Sequence, residues 1–199
     1  MESINVRSAN VDDVKKTVEL LYLSMDWIEG FLGLDDKSSC LDLLEQMVKI
    51  EDHAFSLDKI KLAEANEEVV GLLLSYPGKE SMKLGLKTAF KLREVKDYFG
   101  IIRFLKLLWT SLTVEKADKK EYYISNLAVK DNYRELGIGE NLLTYAENLA
   151  VSSGFEKLSL LVGFDNKIAK NLYYKYDYKI INVFKFSGLK VCKMIKDIK

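Results

Sequence analysis

The sequence predicts an α/β fold (mixed α+β): one mixed, mostly antiparallel sheet with helices on both faces. Three observations predict it. Segments of period two and of helical period follow one another as β-α-α-β-β, an interruption, then β-α-β-α-β-β. Residues 122–162 form a strand–helix–strand unit of the length a parallel crossover needs. The 199 residues are 48% hydrophobic, which suits one domain over 1–199 with an insertion at about 79–119.

Each element has its local cause. Ile4 to Ser8 alternates apolar and polar, a short strand. Asn10 is placed to cap the first helix, with Asp12 and Asp13 in the first turn where the helix dipole favours anions. Val11, Val14, Val18 and Leu21 recur at helical spacing, and a second helix is expected from Ser38 or Ser39. Lys59–Ala65 and Val69–Tyr76 read as a hairpin across Asn66-Glu67-Glu68, ended by Pro77-Gly78. Tyr122–Val129 is a strand, and a helix runs from about Gly139 to Ser152 with Gly154 just beyond it. Lys157–Val162 is an apolar strand of the kind buried on both faces. A short helix over Asn166–Tyr176 and strands over Tyr178–Phe186 and Lys190–Ile195 complete the order.

Composition excludes several classes. Thirty basic residues balance thirty acidic ones, with a single His. That argues against intrinsic disorder and against a globally basic nucleic-acid binder. One Pro and 11 Gly exclude collagen-like and low-complexity chains. Cys40 and Cys192 match no metal or redox spacing. They read as reduced, buried thiols of a cytoplasmic protein, and no metal is expected. No basic start leads into an apolar run, so no signal peptide is expected. The most apolar stretch, 98–114, carries Arg103 and Lys106 and is a poor membrane span.

The chemistry concentrates at Arg134-Glu135-Leu136-Gly137-Ile138-Gly139, where a strand turns into a helix. The first N–H groups of a helix lack internal partners, and the dipole adds positive character there. Gly137 and Gly139 permit positive φ and close approach of a ligand. That combination suits a pyrophosphate. A Walker loop would need Gly-Lys-Ser/Thr, but Gly-Glu-Asn stands here. A dinucleotide fingerprint would need Gly where Leu142 stands, and an early strand.

In this context the chain resembles the GNAT superfamily of N-acetyltransferases. Residues 134–139 fit that family's Gln/Arg-x-x-Gly-x-Gly/Ala acetyl-CoA loop, and Tyr123–Val129 looks like the strand that leads into it. Asn166–Tyr178 resembles the Asn-x-x-Ala-x-x-Leu-Tyr-x-x-x-Gly-Phe/Tyr segment, with Asp177 where the family usually has Gly. Asp tolerates the left-handed conformation better than most residues.

The resemblance implies a GNAT-like sheet with a splayed parallel strand pair, and acetyl-CoA as co-substrate. It places the pantetheine arm on the main chain of Leu127, Ala128 and Val129, with Leu127 N–H toward the thioester carbonyl. The pyrophosphate falls on the N–H groups of Arg134, Glu135, Leu136, Gly137, Ile138 and Gly139. Asn166 binds the pantetheine amide or caps its helix. Tyr173 takes the general-acid position toward the departing thiolate. The implied reaction moves an acetyl group to a primary amine, small molecule or peptide, by direct attack. The alternative is an acyl-CoA-binding regulatory module without turnover.

The general base is left open among Glu64, Glu29, Asp26, His53 and water. His53 reads as a surface or dipole-satisfying residue at a helix end. Residues 79–120 carry eleven Lys or Arg against five acids, a net charge of +6. Two helices are expected there, over about 81–92 and 95–113. The apolar face of Phe99, Ile102, Leu105, Leu108, Trp109 and Leu112 calls for packing against the domain or a homodimer contact, with membrane-surface binding through a basic amphipathic helix as the sharper alternative. No nucleic acid and no stable membrane insertion are expected as partners.

Overall fold

The chain follows the predicted order of elements. A computed structural model describes residues 4–25, 29, 34, 36–95, 104, 108–109, 117–186 and 188–198. In chain order these hold β1 (Asn5–Ser8), α1 (Val14–Leu23), α2 (Lys37–Val48), β2 (Ile60–Ala65), β3 (Glu68–Pro77), α3 (Ser81–Val95), β4 (Glu121–Val129), α4 (Ile138–Ser152), β5 (Lys157–Gly163), α5 (Lys167–Lys175), β6 (Lys179–Phe186) and β7 (Leu189–Asp197). The sheet runs β1-β2-β3-β4-β5-β7-β6. Among the described residues only β4 and β5 pair in parallel; the other neighbours are antiparallel.

Local chemistry sets the ends of these elements. Asn10 accepts from the Asp12 N–H at 2.8 Å, and Asp13 returns a bond to the Asn10 N–H at 3.0 Å. This reciprocal cap opens the short turn before α1. The β2–β3 turn is tighter than expected. Only Asn66 and Glu67 lie between the strands, both with positive φ. Asp177 holds φ 63° and closes α5, with Tyr178 N–H donating to the Tyr173 carbonyl at 3.0 Å.

Two apolar layers cover the sheet. On one face α1, α2 and α3 pack against β2 and β3 through residues such as Leu21, Leu44, Ala89 and Leu72. On the other, Ile138, Leu142 and Ala146 of α4 pack against Leu73, Ile124 and Leu160. Cys40 and Cys192 are buried and outside any disulfide, one in each layer. In the insertion, α3 extends to Val95. The helix expected over 95–113 lies largely outside the described residues, as do Phe99, Ile102, Leu105 and Leu112. Leu108 packs on the first layer, whereas Trp109 is exposed. Among the described residues no helix is long and apolar enough to cross a membrane.

The strands that frame the site separate at one point. Parallel pairing of β4 with β5 ends at Ile124 and Leu160. Across β4, the register with β3 slips there too: Ser75 pairs with Ile124 and Leu74 with Asn126, leaving Ser125 as a bulge. The extra residue reverses the alternation of side chains. Tyr122 and Ile124 before it, and Leu127 and Val129 after it, all pack toward the α4 layer.

Candidate active site

Beyond Ile124 the β5-facing edge of β4 is open, while its other edge continues along β3 to Val129. Lys130 N–H donates to the Val70 carbonyl at 2.9 Å. Antiparallel residues alternate between facing their partner and facing away. The ladder therefore turns Ala128 and Asn126 toward β3, and Leu127 and Val129 toward the opening. Of the expected main-chain set, Leu127 and Val129 face the opening, whereas Ala128 faces its partner Leu72.

The loop after β4 presents further unpaired donors. Glu135 and Gly137 both adopt positive φ, at 64° and 81°. Among the described residues, the N–H groups of Glu135 through Gly139 make no backbone hydrogen bond. Arg134 differs from the expectation: its N–H already donates to the Asp131 carbonyl at 3.2 Å, and its guanidinium pairs with the Asp131 carboxylate at 2.7 Å. Leu136 is exposed at the tip. A cleft of about 620 Å³ lies on the β1–β2 side of this loop, bordered by Ile4, Ala65, Tyr133, Leu136, Gly137, Ile138, Glu140 and Asn141. Glu140 would oppose a phosphate, but Lys175 donates to it at 2.5 Å and holds its carboxyl below the usual range. Unpaired donors at a helix start, backed by the dipole of the 15-residue α4, fit a pyrophosphate.

The two glycines have different roles. A Cβ on Gly137 would meet nothing within 4 Å, so only its positive φ requires Gly. A Cβ on Gly139 would meet Leu172 Cδ2 of α5 at 3.2 Å. Gly139 thus admits a helix, where a ligand's approach was expected. Gly71 of β3 was overlooked in the sequence; its Cβ would press Ile138 Cγ2 at 3.0 Å. A lone Gly inside a strand pattern was the available signal.

On α5, Asn166 is exposed and its side chain accepts from the Ala169 N–H at 3.0 Å, capping the helix. Tyr173 is 7% exposed and packs in the α4 layer, its ring 5.7 Å from that of Tyr178. Burial pushes the Tyr173 phenol up to about 12.

The candidate bases are engaged elsewhere. Glu64 Oε1 accepts from Arg7 at 2.7 Å, and Arg7 also clamps Asp13 at 2.6 Å. Glu29 accepts a hydrogen bond from the Tyr22 hydroxyl. Asp26 lies outside the described residues. His53 corrects the expectation of a surface residue: it is fully buried. Its Nδ1 accepts from the Phe55 N–H at 3.1 Å, so Nε2 carries the proton and donates to the Met47 carbonyl at 2.9 Å. Burial lowers its pKa. His53 satisfies the carbonyl end of α2, and both ring nitrogens are occupied.

The acetyltransferase (GNAT) family model matches residues 25–178, which spans the splayed strands, the loop and α5. The chain belongs to the GNAT acetyltransferase family. An N-acetyltransferase from Staphylococcus aureus Mu50 is 26% identical, with TM-score 0.76 over 96% of this chain and 100% of that one. The fold is shared by the PaiA N-acetyltransferase from Thermoplasma acidophilum, solved in complex with coenzyme A. That protein is 16% identical, with TM-score 0.57 over 98% of this chain and 99% of the other. GCN5-related N-acetyltransferase 6, chloroplastic, from Arabidopsis thaliana is 39% identical over 67 residues. Those residues are 34% of this chain and 23% of that relative. This GNAT chain therefore spans only a minor part of the curated relative it matches.

Proposed function

We propose that this GNAT protein transfers an acetyl group from acetyl-CoA to a primary amine by direct attack. One observation carries the reading: the β4–β5 opening at Ile124 and Leu160 leads to a loop of unpaired N–H donors at the start of α4. Acetyl-CoA supplies an activated acyl group and a thiolate leaving group. Leu127 and Val129 offer N–H and C=O groups along the opening, which a chain with amides of its own satisfies as an added strand does. Leu127 N–H is assigned to the oxygen that gains charge during attack. Tyr173 is assigned to the sulfur. A phenol near 12 stays protonated beside a thiolate whose conjugate acid lies near 8.5, so it acts as a hydrogen-bond donor. Glu135, Leu136, Gly137, Ile138 and Gly139 are assigned to the pyrophosphate. In the insertion, Leu84 of α3 packs with Tyr76 and Tyr123 at the paired end of β4. We assign that helix to a wall of the acceptor site.

A second reading, acyl-CoA binding without turnover, draws on the engagement of Glu64, Glu29 and His53 in other contacts. Free-thiol release from acetyl-CoA in the presence of an amine panel separates the two. Calorimetric binding without thiol release on any amine favours the binding module.

A further inference from the structure

The bulge at Ser125 begins a chain of hydrogen bonds whose direction is fixed from its far end. A backbone carbonyl only accepts, so the Leu21 carbonyl at 2.7 Å obliges the Ser24 hydroxyl to donate. Ser24 Oγ, 2.9 Å from the Asn126 amide, must then accept from its Nδ2. That orients the Asn126 Oδ1 toward Ser125, and the Ser125 hydroxyl donates to it at 2.9 Å. Asn126 is 8% exposed, which holds the amide in this orientation. Ser125 has thus committed its only proton. To any further partner it offers lone pairs alone.

Ser125 is also the first residue of β4 beyond the paired part, on the bulge that lets β4 leave β5. Its position is half-buried and within hydrogen-bond range of the Tyr76 phenol, which also reaches Ser81; a Tyr76 O–H given to Ser125 uses one lone pair and leaves the other. An obligate acceptor here suits a group that brings N–H bonds and must keep its own lone pair free. We propose that Ser125 Oγ accepts an N–H from the acceptor amine and aims the amine lone pair at the acyl carbon, and that Asn126 is the positioning residue that enforces this polarity. The amine N–H becomes a stronger donor as nitrogen gains positive charge in the attack, so the bond strengthens toward the transition state. Ser125 removes no proton; it orients the nitrogen that loses one to solvent. This inference rests on the acetyl-transfer reading.

The test uses the whole chain and three probe acceptors: spermidine, a lysine-containing peptide and a peptide with a free N-terminus. Ser125→Ala should lower kcat roughly 10–100-fold on the accepted amine, the size of one hydrogen bond to a charged group. Its acetyl-CoA dissociation constant should be unchanged. Ser125→Thr keeps an acceptor oxygen and should recover most of the loss. Asn126→Leu frees the Ser125 proton and should lower kcat while Ser125 remains in place. Thermal unfolding checks that each variant is folded. Turnover of Ser125→Ala equal to the unaltered chain overturns the inference alone. No turnover in the unaltered chain on any probe, with acetyl-CoA bound, overturns the transfer reading and this inference with it.

Discussion

Gly139 and Leu172 are in contact range across the junction of two helices: a Cβ on Gly139 would stand 3.2 Å from Leu172 Cδ2. The start of α4 and the middle of α5 are fixed to each other at this point, which ties the donor loop to the helix that carries Tyr173. Gly139→Val should cost about 1–3 kcal/mol by overpacking. Leu172→Ala should relieve part of that cost. Denaturant unfolding of the two single variants and the double variant measures the coupling. Strictly additive effects would remove this contact as the reason for Gly139.

Gly137 gives a contrasting outcome. Space is open around it, so Gly137→Ala meets no clash and only the left-handed φ of 81° resists, by roughly 1–2 kcal/mol. The loop donors then leave their present aim. Acetyl-CoA affinity, read by calorimetry, should fall at least tenfold, while stability falls little. A variant with unaltered affinity would take the pyrophosphate away from this loop.

The Arg7–Asp13–Glu64 cluster predicts an acid limit to stability. Arg7 holds the Asp13 carboxyl below the ordinary range. A depressed folded-state pKa stabilises the fold above the unfolded value near 3.9, and that contribution is lost as pH falls through the folded value. Asp13→Asn keeps an acceptor for the Asn10 N–H but loses the charge pair. It should cost about 2 kcal/mol at neutral pH, less than a fully enclosed pair because the Arg7 side chain is 32% exposed. The difference from the unaltered protein should narrow as the pH falls below the unfolded value near 3.9 and close once it passes the folded value. A difference that persists there would point to packing, with charge excluded as the cause.

The sequence carried the element order, the donor loop and the close of α5, because each has a short-range cause: alternation, helical period, a capping Asn or an unusual φ. Asp177 is the clearest case, since its residue type and its conformation agree. What stayed hidden depends on register. The Ser125 bulge arises from pairing between β3 and β4, which are separated in sequence by the whole insertion. The Ser24–Asn126 bond joins residues 102 positions apart. His53 looked like a surface group because its helix end is visible in the sequence, while the layer that buries it is not. Gly139 was legible as glycine, but its reason lay 33 residues away in Leu172.

Tyr173 is the residue whose removal should separate chemistry from binding. The phenol lies in the α4 layer, and burial pushes it up to about 12. Full proton transfer to a thiolate of conjugate-acid pKa near 8.5 would run uphill by roughly three to four units, so the assigned role is a hydrogen bond to developing negative charge. Such a bond is worth about 1.5–3 kcal/mol, or roughly 10–100-fold in rate. Tyr173→Phe retains the ring and its contact with Tyr178. Stability should therefore change by less than about 1 kcal/mol. Acetyl-CoA affinity should hold, since backbone groups of β4 and the donor loop are assigned to bind it. The pH profile adds a second check. A phenol near 12 stays protonated across the working range, so kcat/KM should rise as the acceptor amine loses its proton, with no fall from Tyr173 near pH 10. The decisive pair of measurements is kcat and the acetyl-CoA dissociation constant of Tyr173→Phe. Turnover at the level of the unaltered chain would make Tyr173 a packing residue and leave the thiolate to depart without it.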